Sequence, residues 1–166
     1  MEDNSGCIGE KLAPFNPSSD AVIRMAIEML QLAKESILYD LGCGDGRLLV
    51  EAIKASGARG VGVEYDKRFV DRALSRVADA QLEHKIKVVH GNVLDADIVE
   101  ATAVFVYLVP AGMAALKEAL VSVLRAGARV VTYVFSIPGL DPVRVETFKA
   151  TKIYLYTAAS VATPAR

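Results

Sequence analysis

Leu38-Tyr39-Asp40-Leu41-Gly42-Cys43-Gly44-Asp45-Gly46-Arg47-Leu48-Leu49-Val50 is the stretch on which the fold turns. An apolar run, Ile37 to Leu41, stops at glycines set on alternate positions, and an apolar pattern of helical spacing begins at once. The segment reads as a buried strand, a tight turn and a helix. Glycine at 42, 44 and 46 lets the backbone bend sharply and lets a ligand approach without meeting a Cβ atom. A dinucleotide site would carry G-x-G-x-x-G, with its pyrophosphate on the helix N-terminus. Here the spacing is G-x-G-x-G, and two carboxylates, Asp40 and Asp45, stand in or beside the loop. They would repel a pyrophosphate and suit a ligand carrying an ammonium or a sulfonium. The loop therefore predicts a zwitterionic, cationic nucleoside and argues against an NAD dehydrogenase.

Downstream, Gly60-Val61-Gly62-Val63-Glu64-Tyr65 reads as a second buried strand ending in an acid. It lies about 20 residues past the glycines, where doubly wound folds hydrogen-bond ribose hydroxyls. With this spacing, Asp40-Leu41-Gly42-Cys43-Gly44-Asp45-Gly46 resembles the first motif of the seven-strand, S-adenosylmethionine-dependent methyltransferases. The resemblance implies S-adenosylmethionine as cofactor and S-adenosylhomocysteine as product. It also implies cofactor contacts from Asp40, Leu41, Gly42, Cys43, Gly44, Gly46, Glu64 and Tyr65. In that family the turn after the third strand reads the adenine amino group, and Asn92, followed by Val93, matches by position. An amide can accept from that amino group and donate to a ring nitrogen; a plain turn asparagine is the alternative.

At 166 residues the chain is long enough for one domain with a proper core. A hydrophobic fraction of 52% suits a parallel sheet buried on both faces. The uncharged run from Ala101 to Leu116 is broken by Pro110 and Gly112, so no membrane span is expected. Met1-Glu2-Asp3-Asn4 is acidic and lacks an apolar core, which predicts no targeting peptide and a cytoplasmic location. A net charge of −1 leaves no basic footprint for nucleic acid. Cys7 and Cys43 resemble neither a disulfide framework nor a metal site, and His84 and His90 show no paired zinc spacing. Cys43 reads either as small filler in a crowded turn or as a reactive thiol.

Residues 1–13 read as a flexible tail and 14–166 as a single domain. Ser19 or Asp20 should cap a helix running to Glu35, with Val22, Met25, Ala26, Met29, Leu32 and Ala33 along one stripe. Gly57 should end the helix Arg47 to Ser56. Asp66 should open another helix to about Ala80, with Phe69, Val70, Ala73, Leu74 and Val77 facing inward. Ile86 to His90 reads as a near-edge strand, Ala103 to Tyr107 as strand four, Met113 to Leu124 as a helix and Ala128 to Phe135 as strand five. Pro142 to Lys149 and Lys152 to Ala158 read as an antiparallel hairpin. The fold class is thus α/β, a Rossmann-like doubly wound sheet. Its order under the resemblance is 3-2-1-4-5-7-6, but Ser136 to Asp141 is too short for the usual helix between strands five and six.

Three features narrow the resemblance: Pro14-Phe15-x-Pro17-Ser18 before the first helix, Tyr107-x-x-Pro110 after strand four, and Phe135-x-Ile137-Pro138-Gly139 in place of a helix. Together they are similar to the small lysine methyltransferases whose animal members modify mitochondrial membrane proteins, one from ATP synthase and the other the adenine nucleotide carrier. The implied reaction is methyl transfer to the amine of a protein lysine. Alternatives are a small-molecule acceptor, or a cofactor-binding regulatory module that does no chemistry. Ligands of doubly wound sheets sit beyond the strands' carboxyl ends, near the switch in strand order. Tyr107 and Phe15 are therefore candidate channel walls, and the backbone near Val109-Pro110 a candidate acceptor for the amine. Tyr107 could equally be an ordinary strand-end aromatic, Pro110 a helix-start proline, and Pro14-Phe15 either a staple at the helix entry or a lid.

Overall fold

The computed structural model describes residues 19–162. It runs α1 (Asp20–Leu30), β1 (Ile37–Leu41), α2 (Arg47–Ser56), β2 (Arg59–Glu64), α3 (Lys67–Asp79), β3 (Ile86–His90), β4 (Ala103–Val106), α4 (Pro110–Arg125), β5 (Arg129–Tyr133), β6 (Arg144–Phe148) and β7 (Thr151–Tyr156). Short 3-10 turns, Val93–Asp95 and Ala158–Val161, complete it. The seven strands form one sheet in the order β3-β2-β1-β4-β5-β7-β6, as expected. β7 is antiparallel to both β5 and β6, and the other pairs are parallel. β1 lies between β2 and β4, so the chain reverses its winding beside the glycine loop. That reversal opens the crevice where such sheets hold ligands.

Strand alternation divides the core into two layers. Leu38, Phe105, Val131, Ile153 and Leu155 pack with Val22, Ala26 and Met29 of α1 and with Leu49 and Ile53 of α2. Tyr39, Leu41, Val104, Val106 and Val130 point the other way, onto Met113, Leu116, Leu120 and Leu124 of α4. Burial on both faces is why β4, Ala-Val-Phe-Val, needs no polar alternation.

Several boundaries differ from expectation. α1 ends at Leu30 rather than Glu35, with Gln31 in the left-handed region at φ 48°. A partner far along the chain serves this end: the Arg129 guanidinium donates to the Met29 carbonyl at 3.1 and 3.0 Å, satisfying a helix-end acceptor. Ser19, not Asp20, caps α1, its Oγ accepting from the Val22 amide at 3.3 Å. α4 starts three residues earlier than predicted because Pro110 occupies its first turn. In α3, Leu74 faces solvent, off the buried stripe of Val70, Ala73 and Val77.

The connection from β5 to β6 contains no helix. It is pinned instead by Ile137, which is buried and whose amide donates to the Tyr156 hydroxyl at 2.9 Å. Val143 and Val145, beyond it, keep 49% and 44% of their surface exposed.

Candidate functional site

The site begins where β1 runs out. Gly42, Gly44 and Gly46 all have positive φ, at 84°, 55° and 79°, and this is what their alternate spacing encodes. The amides of Gly42 and Cys43 both donate to the Val63 carbonyl, at 2.8 and 3.0 Å, lashing the loop to β2. At Gly46 a Cβ would come within 3.2 Å of the Ala73 backbone, so α2 and α3 approach closely there. At Gly44 an added Cβ would meet nothing within 4 Å: the loop faces open space.

Asp40 is the most unusual side chain here. Only 3% of it is exposed. Burial, then the neighbouring Glu64 and Asp45, push its pKa up to about 8. A buried acid next to other acids, with no cation among the described residues against it, is a place prepared for positive charge. The Cys43 thiol, also buried, is pushed well above its usual range by burial and then by Asp40 and Glu64, so it is a poor nucleophile and a filler of the turn.

Asp45 corrects part of the charge argument. Its Oδ1 accepts from the Arg47 amide at 3.2 Å, and its Oδ2 lies 3.6 Å from the Arg47 guanidinium and 3.4 Å from that of Arg76. Arg76 also donates from Nε to the Asp45 carbonyl at 3.1 Å. Asp45 thus braces the start of α2 and is ion-paired, leaving Asp40 and Glu64 as the unpaired acids of the site among the described residues. Arg76 was missed from the sequence because nothing local marks it; only the packing of α3 on the loop brings it there.

Glu64, at the end of β2, is 8% exposed and bridges two turns. Its Oε1 accepts from the Gly44 amide and its Oε2 from the Asp66 amide, each at 2.9 Å. A carboxylate has about four lone-pair sites, so each oxygen can still accept from a hydroxyl. Beside it, Tyr65, Asp66, Lys67 and His90 line a shallow cavity of about 510 Å³. His90 Nε2 donates to the Tyr65 carbonyl at 2.9 Å, fixing that wall. Asn92 Oδ1 accepts from the Leu94 amide at 2.9 Å, so it caps its own turn while keeping its NH₂ donors; Val93 next to it is buried. Leu41 is fully buried towards α4, so its side chain cannot reach the loop's open side.

At the carboxyl end of β4, Tyr107 is half-buried with its ring centroid 5.0 Å from that of Tyr133, tilted 59°. Burial, aided by Tyr133, raises its phenol pKa. Pro110 is exposed at the start of α4, as a helix-start proline. The Val109 carbonyl accepts from the Gly112 and Met113 amides, at 2.9 and 3.0 Å, so it is already engaged in capping α4. Phe15, and the Pro14 to Ser18 segment read as staple or lid, lie outside the described residues, as does the tail 1–13.

The donor set fits the cofactor the loop predicts. A cation-seeking Asp40, open space over Gly44 and a carboxylate at the end of β2 suit a sulfonium-bearing nucleoside and oppose a diphosphate. Comparison with known proteins agrees: residues 40–144 match the ANTKMT methyltransferase domain. The chain belongs to the ANTKMT methyltransferase family. Like this family, it is an S-adenosylmethionine-dependent methyltransferase of the seven-strand class. It is 34% identical to a protein-lysine N-methyltransferase of Saccharolobus islandicus, covering 86% of this chain and 92% of that protein. It is 29% identical to the rat lysine N-methyltransferase that acts on the C-type subunit of ATP synthase, over 78% of this chain and 59% of the rat protein's length. Among solved structures, an RNA methyltransferase from Salinibacter ruber in complex with S-adenosyl-L-homocysteine superposes with TM-score 0.81 and 32% identity, covering 86% of this chain and 93% of that one. No helix among the described residues is long and apolar enough to cross a membrane.

Proposed function

We propose that this ANTKMT-family methyltransferase acts on the side-chain amine of a protein lysine, in the cytoplasm. The observation that carries this reading is the half-buried Tyr107 at the end of β4, on the sheet face that also bears Asp40. The Saccharolobus islandicus relative, of nearly the same length, is a protein-lysine N-methyltransferase, which supports the choice. Phe15 remains a proposed wall from the N-terminal side.

When bound, the cofactor would supply an electrophilic methyl on a sulfonium; its transfer to the amine lone pair would leave the S–C electron pair on sulfur. The protein's own part is holding and drying. Asp40 would face the cofactor's ammonium, Glu64 its ribose hydroxyls, and the Asn92 amide NH₂ an acceptor on the adenine ring. The backbone at Leu41 to Gly46, with Tyr65 and Val93, would enclose the nucleoside. Holding the two reactants in line can contribute roughly 7–11 kcal/mol. Apolar surroundings at Tyr107 disfavour the charged form of an amine, so the lysine arrives with its lone pair free and its proton left to solvent. Because the Val109 carbonyl is engaged, the acceptor that aligns the amine falls to the carbonyl of Tyr107 or Leu108; Pro110 serves by fixing the start of α4.

A second reading is an RNA acceptor, prompted by the Salinibacter ruber structure. A net charge of −1 and the carboxylates beside the loop weigh against it. The test is a lysate incubated with methyl-labelled cofactor and then divided into protein, RNA and small-molecule fractions. Label on lysine residues of a protein is expected. Label confined to RNA or metabolites defeats the lysine reading, and absence of S-adenosylhomocysteine release with any fraction leaves a non-catalytic module.

A further inference from the structure

We propose that Tyr133 is a second wall of the acceptor site, forming with Tyr107 an aromatic corner that receives the lysine amine and its methylated ammonium product. This rests on the lysine reading above. Strand register places the corner. Asp40 pairs with Phe105, and Phe105 with Val131, so these three lie in one row across β1, β4 and β5. Their side chains share the α1 face of the sheet, because Leu38, Phe105 and Val131 all belong to that layer. Tyr107 and Tyr133 each come two residues later, on the same face and about 6.6 Å further towards the carboxyl ends. The corner therefore stands one row above the cation-seeking acid and on the neighbouring strands, in line with the crevice.

The chemistry of the corner is that of a cation site. Both rings are half-buried, packed on the same core layer, and set at 59° to each other. The Tyr133 hydroxyl points away from that task. Thr151 Oγ1 donates to the Phe148 carbonyl at 2.8 Å, so the contact at 3.4 Å between Tyr133 Oη and Thr151 Oγ1 has the tyrosine as donor. What Tyr133 has left to offer is its ring face, and an electron-rich face attracts an alkylammonium. Among the described residues, the cations that stack on aromatic rings do so at Phe69 and Phe148 and leave this corner alone.

The test uses the whole chain saturated with S-adenosylhomocysteine, and tetramethylammonium chloride as the probe of the corner. Broadening of the tetramethylammonium methyl resonance on titration with protein, observed by NMR, reads the binding. Tyr133→Leu should weaken tetramethylammonium binding about tenfold, the worth of one well-placed cation–π contact at about 1.4 kcal/mol. Tyr133→Phe, which keeps the ring, should restore it to within about threefold of wild type. S-adenosylhomocysteine affinity, measured by calorimetry, should stay within about twofold in both variants, reporting an intact fold. Equal binding in wild type and Tyr133→Leu overturns the proposal, and so does a Phe variant as weak as the Leu variant. Poly-L-lysine methylation separates the two readings. With Tyr133→Leu its KM should rise while cofactor affinity holds. A wild-type enzyme inert on poly-L-lysine and on every lysate protein refutes the lysine acceptor even where the corner binds the probe.

Discussion

Replacing Asp40 with asparagine keeps the shape of the side chain and removes its charge, and the structure assigns that change two opposite effects. The first is on stability. Burial and the adjacent acids raise the carboxyl from 3.8 to about 8, so the folded state prefers it protonated. Its contribution to stability is fully present below about pH 4 and is lost as pH climbs towards 8. At about 1.4 kcal/mol per pKa unit, the ceiling on that loss at pH 7 is about 4 kcal/mol. Asparagine carries no such penalty. A quarter of the ceiling is enough to raise Tm by about 2–4 °C in a chain of this size. Asp40→Asn should therefore melt higher than wild type at pH 8, with the gap closing towards pH 4. The second effect is on binding. At pH 7 about a tenth of the Asp40 carboxyl is ionised, so a cationic cofactor must expel nearly one proton as it binds. Calorimetry in buffers of different ionisation heat should find that proton in the wild type and miss it in the variant. From pH 7 to 9 the wild type should gain about tenfold in affinity relative to Asp40→Asn, a ratio in which the cofactor's own titration cancels. A variant that binds as tightly as wild type, with the same proton release, would refute Asp40 as the seat of the cofactor's charge.

Glu64→Ala removes the acceptor of the Gly44 and Asp66 amides, so thermal stability should fall and S-adenosylhomocysteine should bind about ten- to a hundredfold more weakly; calorimetry showing unchanged affinity refutes its role. Gly62→Ala would bring a Cβ to 2.7 Å from Cys43 Sγ and 2.9 Å from Leu49 Cδ2. Denaturant unfolding should show a loss of about 1–3 kcal/mol, part of it recovered by adding Cys43→Ala. Tyr156→Phe strands the buried Ile137 amide, with an expected cost of about 1–3 kcal/mol in the same assay; no loss would mean the Tyr156 hydroxyl does not hold the β5–β6 connection.

The glycine loop and the acid after β2 were legible because their signals are local: an apolar run, alternate glycines, and an acid at a set distance. The missing helix followed from counting residues between elements, and the strand order came with the family resemblance. What stayed hidden was set by partners distant in the chain. Arg129, 100 positions from Met29, satisfies the carbonyl at the end of α1, which stops five residues early. Arg76 pairs with Asp45, which reads from sequence as a bare charge facing the ligand. The Val109 carbonyl could be nominated as an acceptor only while its capping bonds to Gly112 and Met113 were unknown. Gly60 and Gly62 look like interchangeable strand glycines, yet each makes room for a side chain of α2 or the loop.

One carboxylate gripping two amides, those of Gly44 and Asp66, has an experimental use. Those amides belong to different turns, 22 positions apart, but share a single tether. Their deuterium uptake should rise and fall together: slow while the tether holds, slower still when a nucleoside closes over it, and fast at both positions once Glu64 lets go. Two peptides in an exchange experiment would then report occupancy of the crevice before any acceptor is known.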